Sequence, residues 1–134
     1  MVASINVERA HKSLGGETLH INLADGKISG DFAGLKFTDK DTKQIVIYLP
    51  SLEVSGYGDT VEEANEMVRF SIQDFLDYLI SLPSADIQKQ LSKLGWRRGI
   101  FNTEYSRVND DPKGYLSNYN IDDNSIENIT LTAA

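Results

Sequence analysis

The chain has 134 residues, 40% of them apolar and 25% charged, which is ordinary globular composition and enough for one domain with one core. Its formal net charge of −7 repels phosphate backbones, so it disfavours general nucleic-acid binding, and it favours encounter with a basic protein. Cysteine is absent, which excludes disulfides and thiolate metal sites, and no run of about 18 apolar residues exists to span a membrane.

Residues 1–17 are weakly patterned, and Lys12, Ser13, Leu14, Gly15 and Gly16 read as a turn. From Thr18 the chain alternates, with Leu19, Ile21 and Leu23 apolar and His20 and Asn22 between them, the pattern of a half-buried strand. Ala24, Asp25, Gly26 and Lys27 form a hairpin-type turn, because Asp-Gly supplies the positive φ such turns need. Extended chain follows over residues 28–37, where glycines predict bulges or bends. After a polar connector, Ile45, Val46, Ile47, Tyr48 and Leu49 make a continuous apolar run, the mark of a central strand buried on both faces. Pro50 ends it, and residues 54–58 read as a short further strand.

The strongest local signal comes next. Thr60 as N-cap places Glu63 at the third helical position, the spacing of a reciprocal capping box, and Glu62 and Glu63 suit the positive end of the helix dipole. Val61, Ala64, Val68, Ile72, Phe75 and Leu79 then recur at steps of three and four, with Met67, Leu76 and Ile80 widening the stripe. A helix over residues 61–81 is predicted, about 30 Å long, stopped by Pro83. Ser84 is expected to cap a shorter helix with Ile87, Leu91 and Leu94 on its apolar edge and Gly95 after its end. A strand within residues 96–108, a turn over residues 109–114 and a last edge strand using Ile126, Ile129 and Leu131 complete the pattern.

Residues 48–65 resemble the HicB antitoxin-like family through Tyr48, Pro50, Leu52, Gly58, Asp59, Thr60, Glu62, Glu63 and Ala64. The likeness extends over about residues 31–80. The sequence departs from the family at Glu53-Val54, which stand one residue short where members carry Pro-Gly-Cys, and in a longer polar connector before the central strand. The resemblance implies an α+β fold: an antiparallel sheet of three to four strands with one long helix packed on a face, a partial ribonuclease H-like arrangement, to which the residues after Pro83 add a C-terminal helix and strand. The chain as a whole is expected to be a single domain over residues 1–134, with a HicB-like core at residues 18–82 and a C-terminal extension at residues 83–134.

The family also implies a partner instead of a substrate: a small basic, RNA-cleaving toxin, with self-association into dimers or larger. On this basis Tyr48, Glu53, Tyr57 and Asp59 are the partner-binding candidates, while Thr60 and Glu63 are structural helix caps. No catalytic residue, cofactor or metal is expected. Residues 84–134 match neither a ribbon-helix-helix nor a helix-turn-helix, so direct DNA binding is not expected. A start without a basic segment and apolar run, with no membrane span, leads to the expectation of a cytoplasmic protein.

The alternative is a metal-dependent nuclease-like or ligand-binding domain using Asp31, Asp39, Asp41 and Asp59 on the sheet, which requires those carboxylates to converge. His11 and His20 have no acid or nucleophile at a telling spacing. Lys89, Lys93, Arg97 and Arg98 form the one basic cluster, with cations favoured at a helix C-terminus and Trp96 expected in the core. Gly56 and Gly58 read as a tight strand-to-helix turn, since a P-loop lysine and a third glycine are both missing.

Overall fold

A computed structural model describes residues 5–9, 16–99, 104–107 and 120–133. In chain order these form β1 (Ile5–Arg9), β2 (Glu17–Asn22), β3 (Lys27–Thr38), β4 (Ile45–Leu49), β5 (Val54–Gly58), α1 (Val61–Ser81), α2 (Ser84–Lys93), β6 (Arg97–Arg98), β7 (Glu104–Arg107) and β8 (Glu127–Ala133). Of the predicted turn at residues 12–16 all but Gly16, and the whole of the turn at residues 109–114 and His11, lie outside the described residues.

β3 organises the sheet. Along one edge it pairs with β8 from Gly30 to Lys36. Along the other it pairs first with β2, up to Asp31, and then with β4, from Leu35 onward. The sheet therefore forks: one branch runs β2-β7-β6 and the other β4-β5, while β1 closes the far side against β8. All these pairings are antiparallel.

The fold class is α+β, as expected, but the sheet is twice as wide as the three to four strands expected. The extra width comes largely from β1, β6, β7 and β8. Of these, β7 and β8 answer to the strands expected within residues 96–108 and near the end of the chain, whereas β1, with only two apolar positions, and β6, of two arginines, carry too little alternation to mark them. β8 was expected at an edge and instead lies between β1 and β3, with Ile129, Leu131 and Ala133 buried. The glycines of β3 mark no bulge, because its ladder with β8 is continuous through Gly30 and Gly34.

Burial changes face along β3. Ile28 and Phe32 face the main core, whereas Leu35 and Phe37 have the opposite parity and join Val46, Tyr48 and Ile121 in a small cluster on the other side. β4 is accordingly buried on both faces, as its apolar run predicts: Ile47 and Leu49 face the main core and Val46 the small cluster. α1 lies on the main-core side, burying Ala64, Val68, Ile72, Leu76 and Leu79. Phe75 is only half-buried, and Met67 is 39% exposed instead of widening the stripe.

The helix start follows its sequence signal with one difference. Thr60 Oγ1 accepts from Glu63 N at 3.2 Å, but the Glu63 carboxylate reaches back to Asp59 N, at 2.9 Å, not to Thr60 N. Ser84 is the first residue of α2, not its cap; Pro83 occupies the cap position and makes no side-chain bond. Pro at this point ends α1 and starts α2 because it needs no donor partner.

Trp96, just ahead of β6, is one of the largest buried side chains. It is 2% exposed, meets Phe32 edge to face with ring centroids 5.9 Å apart, and donates from Nε1 to Ser51 O at 2.9 Å. Phe32 lies on β3 just beyond the last β2 pair and Ser51 lies in the β4-β5 turn, so the indole ahead of β6 ties that branch to the shared strand and to the β4-β5 branch.

Candidate functional site

α1 packs unusually close to β5, and the two glycines of β5 explain it. A Cβ at Gly56 would stand 2.8 Å from Ala64 O and closer still to Val68 N; one at Gly58 would stand 2.9 Å from Ala64 N. These glycines lie within β5, not in the turn expected of them, and seat the helix backbone. The tight packing brings α1 side chains onto the outer edge of β5. Ser71 Oγ donates to Ser55 O at 3.2 Å, and Tyr57 N donates to Met67 Sδ at 3.4 Å. α1 therefore occupies part of that edge.

Beside this edge, α1 exposes apolar surface. Phe70 is 74% exposed, Tyr78 51% and Met67 39%, and Tyr57 of β5 is 51% exposed. Phe70, Asp74 and Tyr78 recur at intervals of four, so they share one line along the helix. With Glu53, Ser71 and Phe75 they line an open groove of about 440 Å³ between α1 and the start of β5. Among the described residues neither Glu53 nor Asp74 has an ion-pair partner.

Charge concentrates on the same segment. Residues 50–81 hold Glu53, Asp59, Glu62, Glu63, Glu66, Asp74 and Asp77 against one basic residue, Arg69. This segment therefore carries −6 of the chain's −7. The acidity is thus concentrated on β5, α1 and the turns that flank them.

The four partner-binding candidates do not form a single cluster. Tyr48 and Tyr57 lie on the same face of the β4-β5 ladder, opposite α1, with Tyr48 half-buried. Glu53 precedes β5, holding a positive φ of 54°, and Asp59 follows it, so they bracket the strand. Of the four, Glu53 lines the groove. Sequence reasoning missed Phe70, Asp74 and Tyr78. Their signal was present as two aromatics displaced from the buried stripe, which an amphipathic reading leaves unplaced.

The carboxylates of the alternative reading are separated. Asp31 lies on the solvent face of the sheet and accepts from Thr132 Oγ1 at 3.0 Å. Asp39 accepts from Thr42 N and Oγ1 in the β3-β4 connector, and Asp41 accepts from Asn120 Nδ2. Asp59 sits by the α1 start, 3.5 Å from Gln44 Nε2. Among the described residues no group of three His, Asp or Glu side chains is placed to hold a metal.

His20 is exposed and 3.9 Å from Glu104. In the basic cluster Arg98 donates to Gln88 Oε1, and the buried Trp96 offers no ring for stacking. Among the described residues α2 is followed by β6, and no helix is long and apolar enough to cross a membrane.

No family model, curated protein or solved structure matches the chain.

Proposed function

We propose that this chain is a non-catalytic protein-interaction module of the HicB antitoxin type, whose β5-α1 surface receives a small basic, toxin-like protein. One observation carries the proposal: the segment of net charge −6 includes a groove lined by two of its acids, Glu53 and Asp74, and by the exposed Phe70 and Tyr78. Exposed aromatics give a binding surface its anchoring area, and a field of one sign steers and selects a partner of the other. A basic RNA-cleaving protein presents cations where RNA phosphates sit, and carboxylates compete for those cations. The resemblance over residues 48–65 supports the same role, and the strand, Pro50 turn, short strand and capped helix follow one another as that resemblance implies. Two copies meeting through this surface would bring like charges together, so self-association belongs elsewhere, such as the β1 margin of the sheet.

The test is coexpression with a small basic, RNA-cleaving toxin of the kind the resemblance implies. Copurification, loss of that protein's RNA cleavage, and restored cleavage with Glu66→Lys plus Asp74→Lys are expected. If the chain purifies alone and leaves cleavage unchanged, the proposal fails.

A further inference from the structure

We propose that the groove between α1 and β5 is a receptor for one arginine side chain of the partner, a subsite that rests on the basic-partner reading above. Asp74 stands on α1 with Phe70 one turn before it and Tyr78 one turn after it. Phe75 and Glu53 complete the wall. This places a carboxylate between two exposed aromatic side chains, with a second carboxylate across the groove.

A guanidinium suits that lining on each count. It is planar, so it stacks on an aromatic ring while its edge donates paired hydrogen bonds to a carboxylate. It is weakly hydrated, so it gives up less than an ammonium on leaving water. Its charge is attracted by the ring faces as well as by the two acids. A lysine would gain the Coulomb attraction but neither the stacking nor the bidentate geometry. An apolar side chain would satisfy Phe70 and Phe75 and leave Glu53 and Asp74 facing it without compensation. Within the described residues no cation of this chain pairs with either acid, so the groove's charge is directed outward.

The experiment compares two capped peptides of equal charge, hexa-arginine and hexa-lysine, titrated into the full ¹⁵N-labelled chain at about 150 mM salt, where long-range attraction is screened. Hexa-arginine is expected to bind about threefold to fivefold tighter, the ratio an exposed cation-aromatic contact supplies. Its largest amide shifts should fall on residues 53–55 and 70–78. Phe70→Ala should abolish the preference with the melting temperature unchanged, since Phe70 is largely exposed. Asp74→Asn should weaken both peptides. Equal affinities, or a preference that survives Phe70→Ala, would overturn the arginine receptor while leaving a general acidic docking surface. Failure of both peptides to perturb β5 and α1 would remove the receptor and the docking surface together.

Discussion

Glu17 and Arg107 face each other across the β2-β7 ladder and form a buried ion pair, 3.1 Å between Oε1 and Nη1, with side chains 1% and 7% exposed. The pair sits where the sheet forks. Glu17 Oε2 accepts from Ala33 N at 3.0 Å, and Ala33 lies between the last β2 pairing and the first β4 pairing on β3. The carboxylate thus supplies the acceptor that neither branch provides. Arg107 Nε in turn donates to Leu94 O, tying the end of α2 to the same point.

Removing one member leaves the other charged and buried, which typically costs about 3–5 kcal/mol. Arg107→Met should lower stability by that amount in urea denaturation. Adding Glu17→Gln should recover part of the loss, because the amide still accepts from Ala33 N and no longer needs a cation. A single-variant loss under about 1 kcal/mol would place the pair in a surface-like environment.

Ser51, in the β4-β5 turn, has its hydroxyl buried and lacking a hydrogen-bond partner among the described residues, while its carbonyl accepts from Trp96. Ser51→Ala deletes only the orphaned group. It should leave stability within about 0.5 kcal/mol of the parent, or raise it. Trp96→Phe removes the indole donor and strands the Ser51 carbonyl, at a cost of about 1–3 kcal/mol. Equal effects from the two substitutions would contradict the assignment of the bond to the backbone oxygen.

The contrast between these residues shows what a sequence discloses. The α1 bounds, the Thr60 cap, the Asp25-Gly26 hairpin and the two-sided burial of β4 all rest on neighbours in the chain, and period or spacing reveals them. The fork does not. Glu17 looks like one more solvent-facing acid until β7 sets Arg107 opposite it, 90 residues away. The groove is intermediate: Phe70, Asp74 and Tyr78 are local in sequence, but only the docking of α1 on Gly56 determines that they stay exposed beside Glu53.

That docking is itself testable at Gly56. The atoms nearest an added Cβ are Ala64 O and Val68 N and Cα, all helix backbone, which cannot rotate away as a side chain would. Gly56→Ala must therefore shift α1 from the sheet. A loss of about 1–3 kcal/mol is expected from overpacking. The displacement should also weaken peptide binding at the groove, although residue 56 does not line it. An unchanged melting temperature would mean that α1 does not rest on β5 backbone to backbone.

The β3-β4 connector offers a pH-dependent check independent of the groove. Asp39 accepts from Thr42 N at 2.9 Å and Thr42 Oγ1 at 2.8 Å. These bonds, the backbone one foremost, hold its carboxyl below the ordinary aspartate value, with Asp41 N and the Lys43 charge assisting against a small opposing effect of burial. A folded-state pKa below the unfolded one means that folding favours the carboxylate. The contribution is therefore complete above the unfolded value of about 3.9 and is lost as pH falls through the lower folded value. Thr42→Ala removes the hydroxyl donor and keeps the backbone one. The Asp39 carboxyl, followed by carbon-detected NMR, should then titrate closer to the ordinary value, and the acid limb of stability should become shallower below about pH 4. An Asp39 that titrates identically in the parent and in Thr42→Ala would show that the hydroxyl bond does not persist in solution.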